Sequence, residues 1–156
     1  LLSLPARHRE IIARIYRGFG REVGFAEPAG AVGRGSCEVE VDARTATATL
    51  TVDPVGIDTA VAVCRARREL VEQRHAATVI LQLPIQDPAT AGVVEQVEKE
   101  GFRVAGVGPF FLPRGDALRL VYLTEPVDPR QMRLYEPFAS ELVRHACAGA
   151  ETVPAG

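Results

Sequence analysis

A chain does chemistry through side chains that move a proton, attack a substrate or hold a metal, and here those side chains are scattered. His8, His75 and His145 fall on three separate predicted helices, a spacing that builds neither a nucleophilic triad nor a metal site. Cys37, Cys64 and Cys147 are far apart and odd in number. Without a Cys-x-x-Cys pair or a Cys/His cluster they read as three reduced thiols, the usual state in the cytosol. Ser3, Ser36 and Ser140 lack the Gly-x-Ser-x-Gly context that would expose a nucleophile. Glu38 and Glu40 alternate with Val39 and Val41, as on a solvated strand face. Arg65, Arg67 and Arg68 form a basic cluster that reads as a solvated helix face, able to meet an acidic partner. Gly106-Val107-Gly108 reads as a bulge or close packing inside a strand rather than a phosphate loop.

The elements that position these residues follow from periodicity. Residues 5–18 read as a helix, with Pro5 in its first turn and Ile11, Ile12, Ile15 and Phe19 on one stripe. Tyr16 is expected to pack there with its hydroxyl at the surface. Val23 and Phe25 suggest a short strand, and residues 28–35 a Pro/Gly/Ala loop. Residues 36–52 read as a hairpin: Cys37, Val39 and Val41 alternate with acids, then Ala46, Ala48, Leu50 and Val52 alternate with threonines. Asp53-Pro54-Val55-Gly56 breaks the strand, and Asp58 is expected to cap a helix running to about His75. The expected inner face of that helix is Ile57, Val61, Cys64 and Val71, with Ala60 and Leu70 beside them. Thr78-Val-Ile-Leu-Gln-Leu-Pro84 is nearly all apolar, as suits a central strand covered on both faces. Asp87-Pro88 starts a helix with Val93, Val94 and Val97 inward and Gly101 as its C-cap. Residues 102–112 and 117–123 are two more strands around an Arg114-Gly115-Asp116 turn. A last helix follows Pro137, with Phe138, Leu142, Val143 and Ala146 on one side. Residues 1–148 are thus expected to form a single domain, and residues 149–156 a disordered tail.

Strands alternating with helices around a mixed sheet make an α/β or α+β domain. A net charge of −2 with no basic stripe argues against nucleic-acid binding. The apolar runs are too short to span a bilayer, and the first residues show no signal-peptide pattern; the expected location is the cytoplasm. The chain opens on Leu1 rather than Met, which fits a domain of a longer protein.

The hairpin at residues 36–52, the helix after Gly56, the strand to Pro84, the helix from Asp87 and the Gly101-Phe102 pair opening a final hairpin together resemble the GNAT superfamily of N-acetyltransferases. The resemblance covers about two-thirds of the chain. Leu4-Pro5-Ala6-Arg7-His8-Arg9-Glu10, Leu83-Pro84 before Asp87-Pro88, and Leu118-Arg119-Leu120-Val121-Tyr122-Leu123 look like a divergent bacterial GNAT-like subgroup, often fused to ATP-binding, anti-sigma-factor-like regulatory domains. It implies a mixed, mostly antiparallel twisted sheet flanked by helices. It also implies acetyl-CoA or another acyl-CoA as cofactor, bound at Val52, Asp53, Val55, Gly56, Ile57 and Asp58.

In active members that loop reads [Gln/Arg]-x-x-Gly-x-[Gly/Ala], and its N–H groups hold the pyrophosphate. Here only Gly56 matches. Asp53 replaces the Arg or Gln, Pro54 has no N–H, and Asp58 replaces the small residue. Each carboxylate near a pyrophosphate costs on the order of a few kcal/mol at an effective dielectric of about 20. The family's acid, a Tyr four residues before the Gly-Phe pair, is Val97 here. Tyr122 and Tyr135 are substitutes at other places, and Glu38 and Glu40 lie on the strand that often supplies the general base.

Three readings follow. One is a GNAT-fold domain with a degenerate acyl-CoA site, serving as a regulatory or protein-interaction module. It would meet a protein partner, or a second copy of itself, through the threonine face of residues 46–52 and the last helix. The second is an N-acyltransferase with a divergent loop, and the third an unrelated small α/β binding domain. An open cleft between the Leu50 and Val79 strands with free N–H groups near Gly56 favours the second reading, a plugged one the first, and no splay there would sink both. If the cleft is intact, Asp53→Arg with Asp58→Gly is expected to improve coenzyme binding.

Overall fold

A central strand with apolar residues on both faces organises the molecule. In the computed structural model, which describes residues 1–125 and His145, that strand is β3 (Thr78–Pro84). Around it lie α1 (Ala6–Gly18), β1 (Cys37–Asp42), β2 (Thr47–Val52), α2 (Thr59–Glu72), α3 (Thr90–Lys99), β4 (Arg103–Leu112) and β5 (Gly115–Leu123). The strands form one sheet in the order β1-β2-β3-β5-β4. Only β2 and β3 are parallel, and α2 connects them, as a parallel crossover requires. The architecture is therefore the mixed, mostly antiparallel sheet with flanking helices expected from the sequence.

One face of the sheet is dry. Ala48, Leu50 and Val52 of β2, Val79, Leu81 and Leu83 of β3, and Leu118 and Leu120 of β5 are fully buried. They share a single core with Ile12 and Tyr16 of α1, Val63 and Leu70 of α2, and Val93, Val94 and Val97 of α3. The opposite face, with Thr47, Thr49, Thr51, Ile80 and Val121, is half-exposed. The N-terminal segment is laced to the start of α3. The Ser3 hydroxyl donates to Pro88 O (2.9 Å) and accepts from the Ala91 N–H (3.1 Å). The bulge expected at Gly106-Val107-Gly108 falls where β4 slips register between Val104 and Gly106.

Several local expectations change. Ala46 lies in the turn, in the left-handed region (φ 52°), and its carbonyl accepts the N–H groups of Ala77 and Thr78. Val23 and Phe25 form no strand; Phe25 makes a lone bridge to Leu2. The inner face of α2 is Thr59, Ala60, Val63, Cys64 and Leu70, whereas Ile57 and Val61 are 73% and 62% exposed. The helix starts at Thr59, directly after Asp58 as expected, but its buried face is rotated away from Ile57 and Val61. Asp87 bonds the Ala89 N–H (2.9 Å), and α3 begins only at Thr90. Tyr16 is fully buried with its hydroxyl inside. Tyr135, Ser140, Cys147, the helix after Pro137 and the tail at residues 149–156 lie outside the described residues.

Candidate functional site

β2 and β3 stay paired from Thr47↔Thr78 to Thr51↔Gln82 and then part. Past that ladder Val52 keeps its β1 partner Cys37, and Leu83 and Pro84 keep their β5 partners Leu118 and Ala117. The Asp53–Asp58 loop sits at that parting, where the resemblance places an acyl-CoA pyrophosphate.

The loop is already occupied by the chain's own backbone. The Asp53 N–H donates to Ser36 O (3.1 Å), the Gly56 N–H to the Thr59 hydroxyl (2.7 Å) and the Ile57 N–H to Gly33 O (2.9 Å). Ser36 N–H returns a bond to Pro54 O (3.1 Å). Residues 33–36 thus lie as a strap along residues 53–59. The contact is so close that a Cβ on Gly56 would stand 1.8 Å from the Gly35 nitrogen. Asp58 does not cap α2; its carboxylate accepts the Gly35 N–H (2.9 Å). That bond holds its pKa below the ordinary carboxylate value. Asp53 pairs with Arg114 (3.3 Å), which reaches over from the β4–β5 turn. Val52, Val55, Leu83 and Ile85, in and just after the two strand ends, are buried.

The other candidates are not brought together. Glu38 and Glu40 stand opposite Thr51 and Thr49 on the threonine face, exposed. Tyr122 stands opposite Val79, in the row of Ala48, on the other face of the sheet. Three residues of strand, about 10 Å, separate that row from Thr51. Tyr122 instead packs on Phe102 (5.8 Å between centroids) beneath the Arg67 guanidinium (4.5 Å). Val97 is fully buried in the core. Burial pushes the Cys37 and Cys64 thiols up in pKa, so neither is poised as a thiolate.

One feature of the site resembles an anion-binding surface. A groove of about 260 Å³ runs between α2 and α3, lined by Ala60, Val61, Cys64, Arg65 and Arg68 on one side and Gln96 and Glu100 on the other. It adjoins the N-terminal turn of α2, the positive end of the helix dipole.

Sequence reading missed two polar clusters, because each joins residues far apart in the chain. Asp116, buried, accepts from the Tyr16 hydroxyl (2.6 Å), the Phe110 N–H (3.0 Å) and Arg21 (3.4 Å). Burial, then the bond to Asp116, drives the Tyr16 phenol well above its ordinary pKa. In the second cluster His8 meets Glu98 through Nε2 (2.6 Å) and His145 through Nδ1 (2.7 Å), while Arg7 bonds both Glu98 and Glu95. The histidines that seemed dispersed therefore include one pair in contact. Among the described residues no group of three or more His, Cys, Asp or Glu could hold a metal ion.

A pH dependence follows from this pair. Burial, then the positive potential of His8, lowers the His145 pKa. The folded state resists a proton that the unfolded state accepts near pH 6.5. Stability from this contact is full above pH 6.5 and is lost as pH falls through the lower folded value. Glu98 adds to the same trend at lower pH. Burial opposes its ionisation, but His8 and Arg7 outweigh burial and depress its pKa. Thermal midpoints are expected to fall from pH 7 to pH 5, and His145→Gln is expected to flatten that fall. A wild-type midpoint unchanged over this range would contradict the assignment.

No family model matches the sequence, and neither does any curated protein. Among solved structures the chain is similar to a single-substitution mutant of a spermidine N-acetyltransferase from Vibrio cholerae. The two are 18% identical, with a TM-score of 0.43 over 60% of this chain. This chain spans 63% of the length of that protein. Among the described residues, no helix is long and apolar enough to cross a membrane.

Proposed function

We propose that this is a GNAT-like domain whose coenzyme loop has become a structural joint, and that it acts as a regulatory or protein-interaction module. The observation that carries this reading is the strap. The N–H groups of Asp53, Gly56 and Ile57 are spent on Ser36, Thr59 and Gly33. A pyrophosphate entering there would have to displace protein hydrogen bonds and stand beside two carboxylates. Val97 cannot protonate a departing thiolate, and Tyr122 is at the wrong end of the sheet. A partner or a larger host protein, such as the anti-sigma-factor-like fusion implied by the resemblance, is where such a module would act, in the cytoplasm.

A second reading, an acyl-CoA-dependent N-acyltransferase, draws on the groove beside Arg65 and Arg68. Isothermal titration with acetyl-CoA at low and moderate salt separates the two. The expected result is no binding at millimolar coenzyme. Micromolar binding would overturn the module reading. Asp53→Arg with Asp58→Gly is expected to gain little, because removing the charges leaves the strap's backbone bonds to Asp53 and Ile57 in place. Micromolar binding by that double variant would show that charge, and not the strap, closes the loop.

A further inference from the structure

The outermost strand offers a hydrogen-bonding edge. Among the described residues β1 ends the sheet and pairs on one side only, with β2. An antiparallel ladder turns the N–H and C=O of every second residue outward, so β1 presents an unpaired row along its six residues. Its two faces differ. Glu38, Glu40 and Asp42 project beside Thr51, Thr49 and Thr47, and no Lys or Arg pairs with any of them among the described residues. Val39 and Val41 lie on the core face beside the fully buried Leu50 and Ala48, yet are 49% and 37% exposed. The apolar layer of the sheet therefore continues one strand beyond its cover.

We infer that this edge takes an extended segment of a protein partner that alternates basic and apolar residues, added as a sixth strand. The inference rests on the reading of the domain as an interaction module. Main-chain bonds along the edge supply the docking, and alternate side chains supply the selection. Lys or Arg at every second position faces the three carboxylates. Apolar residues between them cover Val39 and Val41 and extend the core. A second copy of this chain is a poor occupant. Pairing β1 with β1 sets one acidic row beside another, and like charges in cross-strand contact are destabilising.

The test uses the full 156-residue chain and a labelled peptide of about ten residues alternating lysine and valine, followed by fluorescence anisotropy. The expected result is saturable binding that weakens as salt rises. Binding should fall about tenfold or more in Glu38→Lys with Glu40→Lys, and that variant should instead prefer a peptide with glutamate in place of lysine. Methylating alternate peptide nitrogens should abolish binding. Equal affinity for the lysine and glutamate peptides, indifference to methylation, or no binding at millimolar peptide would each overturn the inference. Adding acetyl-CoA keeps the two readings distinct. Peptide binding with acetylation of its lysines would uphold the edge and sink the module reading. Absence of both peptide and coenzyme binding would sink the edge alone.

Discussion

Asp116→Ala is expected to destabilise the domain by about 3–4 kcal/mol, measured by urea unfolding. The carboxylate is buried, and its removal strands the Tyr16 hydroxyl and the Phe110 N–H. The buried hydroxyl left unsatisfied costs about 1–3 kcal/mol, and the Phe110 N–H, which water can reach, loses a bond to a charged group worth about 1.5 kcal/mol. Arg21 also loses its partner, but at 3.4 Å and half-exposed it adds little. Tyr16→Phe should cost less, about 1.5–2 kcal/mol, because the carboxylate keeps its bond to Phe110. The two changes should be strongly non-additive, since the alanine removes the acceptor that the hydroxyl needs. The same variant has a local signature. Phe110 is 81% exposed and sits in the left-handed region (φ 57°), a costly place for a large side chain. Its N–H bond to Asp116 holds it there, so faster amide exchange at Phe110 is expected in Asp116→Ala. A loss below about 1 kcal/mol would mean that the cluster is not an anchor.

Gly56→Ala should be nearly as damaging, by about 3 kcal/mol, through overpacking of backbone on backbone. The added Cβ would lie 1.8 Å from the Gly35 nitrogen and 2.3 Å from the Arg34 carbonyl carbon, neither of which can rotate away. Gly35→Ala meets the Thr59 hydroxyl at 2.4 Å and the Gly56 nitrogen at 2.7 Å, so it should behave alike. Both variants should speed amide exchange at Ile57, whose acceptor is Gly33 O. Near-wild-type stability in both would show that the strap is not packed on the loop in solution.

The elements that the sequence announces well are those whose signals are local. The apolar run at residues 78–84 became the central β3, although only one of its faces is fully buried and not both as expected, and the alternation of β2 became a buried row of Ala48, Leu50 and Val52. Gly101 ends α3 with φ 105°, under the Tyr122 ring. Where the reading failed, a distant partner had decided the outcome. Asp58 looks like a helix cap because Asp before a helix usually is one; a backbone N–H from residue 35 claimed it instead. Tyr16 went inside because a carboxylate 100 residues away accepts a hydrogen bond from its hydroxyl. His8 finds Glu98 and His145 across similar separations. The site was legible as a position, the strand-to-helix loop, but its state was not. Gly33 and Gly35 looked like ordinary loop glycines, and nothing local says that a loop will lie on another loop.

The strand order also constrains how the protein is made. β5 lies between β3 and β4 although it is the last of the three to leave the ribosome. β3 ends at Pro84 and β5 at Leu123, so 39 residues must be added before the inner edge of β3 can be filled. At ribosomal speeds of about 5–20 residues per second that is roughly 2–8 s. Through that interval the most apolar strand of the nascent chain has one open side, able to capture another nascent chain. The order of the strands thus sets an interval of exposure that a chaperone could cover.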